Sequence, residues 1–165
     1  MRFLALDVGE ERIGVAVSDE RGFLARPLEI IARKAGPASF QRVAALVAEY
    51  DVGLIVAGLP LLADGTEGKQ ARSTRAYIRG LGGHLAVAVV LWDERLSTQQ
   101  ARAILSETAG PSDLGDEHRS HGTRKKQRRA DDAVAAAVIL QEYLNAQSES
   151  KDRASDGSRS GGQDR

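Results

Sequence analysis

Two short apolar runs open the chain, Phe3-Leu4-Ala5-Leu6 and Ile13-Gly14-Val15-Ala16-Val17, with the polar stretch Asp7–Arg12 between them. Runs this short, bounded by turn and charged residues, predict a β-hairpin. A turn at Asp19–Gly22 leads into a third predicted strand over Phe23–Ile31. Phe40, Val43, Leu46 and Val47 then recur at helical spacing, with Ser39 as a candidate N-cap. Leu54–Ala57 predicts a buried strand ending at Gly58-Leu59-Pro60, and the loop Asp64–Gly68 feeds a polar helix from Lys69 to Leu81. Leu85–Trp92 predicts a second buried strand. Ser97 and Gln100 form a capping-box pattern that opens another helix. A loop is expected from Ala109 to Arg129, and a last helix over Asp132–Leu144. Three strands in succession, then α-β-α-β-α, predict an α/β fold: a mixed five-stranded sheet, its first three strands antiparallel, flanked by helices.

The length, 165 residues, fits one domain with a real core. The absence of cysteine excludes disulfides, thiolate metal sites and cysteine nucleophiles. Residues 147–165 are rich in Ser, Gly and charge and lack large apolar side chains, so they are expected to form a disordered tail behind a folded domain of residues 1–146. The longest apolar run is too short for a membrane helix and the N-terminal run too short for a signal peptide. A cytoplasmic protein with no membrane partner is the expectation. Net charge is zero, but the stretch Arg119–Arg129 carries six basic residues and no acid, leaving the rest of the chain net acidic. That asymmetry reads either as a local polyanion contact or as a solvated charged loop.

Ligands in open α/β sheets bind at the carboxyl ends of strands. Asp7 ends the first predicted strand, Asp93 and Glu94 end the strand Leu85–Trp92, and Asp131 and Asp132 begin the last helix. If the two strands are neighbours, Asp7 lies beside one of the acid pair. Converging carboxylates repel unless a cation neutralises them, and oxygen-only donors select Mg²⁺ or Mn²⁺. Taken singly, each has a structural alternative: Asp7 as a turn residue, Asp93-Glu94-Arg95 as a self-pairing cluster, Asp131 and Asp132 as helix-dipole partners. His118 and His121 fall in the expected loop and His84 follows Gly82-Gly83 in a turn.

Leu6-Asp7-Val8-Gly9-x-x-Arg12-Ile13-Gly14-Val15-Ala16-Val17-Ser18-Asp19 resembles the opening of the YqgF family, also called RuvX. These are bacterial proteins of the RNase H-like fold, described as Holliday junction resolvases or pre-16S rRNA nucleases. Gly58-Leu59-Pro60-Leu61 with Asp64–Gly68, Trp92–Thr98, and Asp132 with Ala135-Ala136 and Ile139–Leu144 match further family segments in order. The resemblance spans about residues 1–145. It implies a catalytic, metal-holding triad of Asp7, Glu94 and Asp132, Asp132 being favoured over Asp131 because the family has an apolar residue before its last aspartate.

The resemblance further implies an endonuclease acting on branched DNA or precursor rRNA with Mg²⁺ or Mn²⁺, leaving 5′-phosphate ends, and is compatible with a homodimer. Arg12, Lys69, Arg72, Arg95, Arg124, Lys125, Lys126, Arg128 and Arg129 are the expected nucleic-acid contacts, helped by backbone N–H groups of Gly65–Gly68. Three features depart from the family pattern: Glu11 where Lys is frequent, Leu62 where Asn is common, and a longer, more basic 109–129 connection. Two other functions share the fold, a nucleic-acid-binding module without catalysis and an actin-like ATPase relative. The latter class needs two such domains to enclose a nucleotide.

Overall fold

The computed structural model describes residues 1–94 and 121–156, with side chains described over 1–94 and 132–150. Strands β1 (Arg2–Val8), β2 (Arg12–Ser18) and β3 (Ala25–Ala32) run in succession, followed by α1 (Ala38–Glu49), β4 (Val52–Leu59), α2 (Lys69–Gly82), β5 (Ala88–Asp93) and α3 (His121–Asp156). They form a five-stranded sheet in the order β3-β2-β1-β4-β5. The pairs β1/β2 and β2/β3 are antiparallel, whereas β1/β4 and β4/β5 are parallel. This is the α/β architecture that the sequence predicts. The helix expected from Ser97 and the loop residues up to 120 lie outside the described residues.

Side-chain alternation divides the core into two layers. Leu4, Leu6 and Val8 of β1, Ile13, Val15 and Val17 of β2, and Ile55 and Ala57 of β4 pack on one face with Val43 and Leu46 of α1 and Tyr77 and Leu81 of α2. Ala5, Ala16 and Val56 point to the other face and meet Ala136, Ala137, Leu140 and Tyr143 of α3. Ala5 of β1 and Gly14 and Ala16 of β2 are small on the α3 side, so the alanine-rich helix lies close to the sheet there. Gly14 is the extreme case: a Cβ there would overlap the backbone carbonyl of Asp132. Gln141 locks the same helix to the β2–β3 connection, its amide oxygen accepting from Ala25 N–H at 3.0 Å and its amide nitrogen donating to the Phe23 carbonyl at 2.9 Å.

The condition that would set the strands Leu85–Trp92 and Phe3–Leu6 side by side is not met, because β4 lies between β1 and β5. Four expectations need correction. Ser39 does not cap α1; Pro37 holds that position, and Ser39 is buried inside the helix. The last helix is 36 residues long, from His121 to Asp156, not the stretch Asp132–Leu144. Its backbone takes in the basic residues Arg124–Arg129 that were expected in a loop, and residues 147–156 of the expected disordered tail. Between Gly122 and Gly157 there is neither Gly nor Pro to stop a helix, and Ser148 and Ser150 donate back to the carbonyls of Leu144 and Ala146.

Candidate active site

Asp7 belongs to the odd-numbered positions of β1, so its side chain rises on the α3 face above Ala5. Its cross-strand partner on β2 is Gly14. On the other side, Leu6 pairs with Ala57, which brings Gly58 of β4 alongside Asp7. Both flanking strands therefore present a hydrogen where a side chain would stand. Through the first gap α3 approaches and delivers Asp132. Through the second, Glu94, just past the end of β5, extends over β4: a Cβ on Gly58 would overlap the Glu94 carboxylate and the tip of Ile139. Trp92, which precedes this turn, packs edge-on against Tyr143 of α3 with ring centroids 5.4 Å apart. Glu94 thus reaches the site across an intervening strand rather than from an adjacent one.

The three acids form one electrostatic cluster. Burial, and then the charge of Asp132, push the Asp7 carboxyl up to about 6. Burial, then the charges of Asp7, Glu142 and Asp93, push Glu94 up to about 7. Glu142 is a buried acid on α3 that sequence reading passed over, because a glutamate late in a helix has the signature of a solvent-facing residue. Asp7 and Asp132 line a cavity of about 220 Å³ together with Gly9, Glu10, Glu11 and Arg12. Among the described residues no group of three His, Asp or Glu side chains stands ready to enclose a metal ion. Asp132 is engaged by Arg12, whose Nε lies 2.9 Å from its Oδ2.

The hairpin turn that carries Arg12 is braced from three directions. Gly9 N–H donates to the Arg12 carbonyl at 2.8 Å, and Arg33 N–H donates to the Glu11 carbonyl at 2.8 Å. The Arg33 guanidinium donates to the Gly9 carbonyl at 2.8 Å and to the Ser73 hydroxyl at 3.1 Å while lying over the Tyr77 ring. Gln70, in the first turn of α2, donates to the Val8 carbonyl at 2.6 Å. The backbone immediately after Asp7 is thereby tied to α2. Sequence reading missed both Arg33 and Gln70.

The other expected contact residues divide. Lys69 is exposed, 3.5 Å from a Glu10 carboxylate oxygen. Arg72 donates to the Glu67 carbonyl at 2.8 Å and so braces the loop before α2. The N–H groups of Gly65 and Thr66 are spent inside that loop, on Leu62 O and the Asp64 carboxylate, and are not available to a phosphate. Arg95 lies outside the described residues. Arg124, Lys125, Lys126, Arg128 and Arg129 lie on the helical backbone of α3, in the three turns that precede Asp132.

Known proteins share this sequence and fold. Residues 1–146 match the family described as RuvX, Holliday junction resolvase. A protein of Syntrophus aciditrophicus named "Putative pre-16S rRNA nuclease" is 42% identical over 151 residues, covering 92% of this chain and 93% of its own. Proteins of the same name from Thermoanaerobacter pseudethanolicus and Geobacillus thermodenitrificans are 37% and 42% identical, over 98% and 99% of their lengths and 89% and 88% of this chain. In fold, the chain is similar to Thermus thermophilus RuvC solved with a Holliday junction substrate, at a TM-score of 0.54 and 14% identity, covering 88% of this chain and 96% of that one. A fowlpox virus resolvase solved with Holliday junction DNA gives 0.50 and 14%, covering 89% and 99%. By a match that takes in both β-strand aspartate and helix aspartate, and by relatives that align over nearly their whole length, this chain belongs to the RuvX family.

Proposed function

We propose that the chain is a divalent-cation-dependent endonuclease that hydrolyses phosphodiester bonds of structured nucleic acid, with Asp7, Glu94 and Asp132 as its catalytic carboxylates. One observation carries this reading: acids from β1, the end of β5 and α3 form a single electrostatic cluster on one sheet face, admitted by two glycines. Burying like charges together is costly, and a cluster kept in that state calls for a cation. The donor set is all carboxylate oxygen, which fits Mg²⁺ or Mn²⁺. Such an ion, when bound, supplies charge neutralisation at the phosphate and acidification of a coordinated water. Asp7, between the other two acids, is the residue through which both are coupled, and Asp7 and Asp132 face the cavity.

The helix adds the means of holding a polyanion. Arg124, Lys125, Arg128 and Arg129 precede Asp132 by eight, seven, four and three positions. Those spacings share one stripe of an α-helix, so the four positions lead along α3 to the catalytic aspartate. Lys126 falls off the stripe. A phosphate backbone lying along it arrives at the acids already neutralised, and affinity should fall steeply with added salt. Lys69, exposed at the start of α2 beside Glu10, is a further candidate phosphate contact near the cavity rim. A homodimer would present two such sites to a four-way junction.

The test uses labelled four-way DNA junction and precursor 16S rRNA with Mg²⁺ or Mn²⁺. Wild type is expected to cut at least one of them to 5′-phosphate products, and Asp7→Asn to slow cutting at least about a thousandfold while binding is retained. Binding of both substrates by wild type with no cutting would overturn the catalytic reading in favour of a binding module. Nucleotide hydrolysis without nucleic acid would redirect it to the ATPase class.

A further inference from the structure

We infer that Arg12 is a displaceable counter-ion of the acidic cluster, holding Asp132 while the divalent cation is absent and passing to a substrate phosphate when the cation takes that carboxylate. The inference rests on the metal-dependent reading above. Its starting point is the ion pair itself: Arg12 Nε stands 2.9 Å from Asp132 Oδ2, at the mouth of the cavity that Asp7 also lines. A divalent cation on the Asp132 carboxylate competes with the guanidinium beside it, because the two cations repel and the doubly charged ion draws more of the carboxylate's charge. Arrival of the ion therefore weakens the hold on the side chain and favours its release.

Where the side chain goes is constrained by its backbone. Arg12 pairs with Ala32 of β3, and its carbonyl is held by Gly9 N–H. The anchored residue can swing its guanidinium but cannot withdraw from the cavity rim. Both side chains are about one-third exposed, 31% for Arg12 and 33% for Asp132, although the Oδ2 that Arg12 faces is itself buried, so the guanidinium swings out through solvent while the vacated oxygen stays inside the cavity for the cation. Glu10 and Glu11 are the other acids on this rim, and Glu10 already faces Lys69. A phosphate presented at the cation offers the planar fork of arginine the same two-oxygen geometry that a carboxylate does. Arg12 would thus couple the two binding events: the cation frees the residue that helps grip the substrate.

The test compares wild type with Arg12→Gln and Arg12→Lys, each checked by thermal melting. Mn²⁺ binding to nucleic-acid-free protein is measured by calorimetry, with Asp7→Asn as the control that removes the site. Arg12→Gln is expected to bind Mn²⁺ about two- to fivefold more tightly than wild type, the gain set by loss of a partly exposed ion pair. Arg12→Lys, which keeps the charge, should stay near wild type. Affinity for a four-way DNA junction is then measured in Ca²⁺ and in chelator at matched ionic strength. Wild type should gain on adding Ca²⁺, and Arg12→Gln should lose most of that gain. Unchanged Mn²⁺ affinity in Arg12→Gln, with binding abolished by Asp7→Asn, would overturn the role of Arg12 and leave the metal site standing. Tighter Mn²⁺ binding with an undiminished Ca²⁺ effect on DNA would overturn the transfer to phosphate. Mn²⁺ binding that Asp7→Asn leaves intact would overturn the metal-site reading, and this inference with it.

Discussion

Gly58 occupies the position on β4 over which Glu94 passes on its way to Asp7. A methyl group at this position has nowhere to go except into the carboxylate or Ile139. Gly58→Ala is therefore expected to displace Glu94, lowering cleavage by at least roughly tenfold and stability by about 1–3 kcal/mol, with a smaller change in nucleic-acid affinity. Cleavage rates and filter binding on the same preparation separate the two effects. At this scale the sequence was partly legible. Asp7 and the pair Asp93-Glu94 stand out because they follow apolar runs, and it is the family resemblance that picks Glu94 from the pair. What could not be read is that Glu94 reaches past a whole strand, since a glycine in Gly58-Leu59-Pro60 has the look of a turn residue until the strand order is known. Glu142 was illegible for a different reason: nothing in its neighbourhood distinguishes a buried glutamate from an exposed one.

Among the elements, α3 has the most demanding placement. It contributes Asp132 to the site and Ala136, Ala137, Leu140 and Leu144 to the core, and its backbone touches β2 at Gly14. Gly14→Ala would place its Cβ inside the Asp132 carbonyl, and no rotamer relieves a backbone clash. The expected cost is about 3 kcal/mol or more, or roughly 6–12 °C in melting temperature, accompanied by loss of cleavage as Asp132 is carried away from Asp7. Calorimetric melting measures the first and the junction assay the second. The middle of α3 was legible from its apolar spacing. Its first turns were not: residues 121–131 contain no apolar stripe, so periodicity had nothing to report and charge suggested a loop. The lack of any breaker between Gly122 and Gly157 was the available signal, and it carries weight only once the core-facing part has nucleated the helix.

For the whole molecule, the acidic cluster makes stability depend on pH in the sense opposite to that of a salt-bridged carboxylate. Asp7 and Glu94 titrate near 6 and 7 in the folded chain and near 3.8 and 4.5 when exposed, so between those limits the folded state holds more protons than the unfolded. Stability is then lost as pH rises through the window. In chelator, urea unfolding should be harder at pH 5 than at pH 8 by on the order of 2 kcal/mol, Glu94 contributing less than Asp7 relative to its shift because solvent screens it. Mn²⁺ should reverse the slope, since it binds the deprotonated cluster and releases protons as it does so. A slope in chelator that rises with pH would contradict the burial described for both groups. The overall architecture was legible from element order alone, because short buried strands alternating with helices leave few ways to close a sheet. Strand adjacency was not, because β1 and β5 carry equivalent apolar patterns whether or not β4 comes between them.

The basic positions and the terminal aspartate of the cluster ride on a single unbroken helix whose centre is clamped in the core. Eight residues of helix span roughly 12 Å, which is the axial rise of three to four nucleotides of duplex. Under the proposed function this arrangement is a built-in ruler: a bond cut at the acids would stand at a fixed offset from phosphates held along the helix, whatever their bases. One residue inserted between Arg129 and Asp132 would rotate the grip by about 100° away from the blade, and one full turn would restore its direction at a longer gauge.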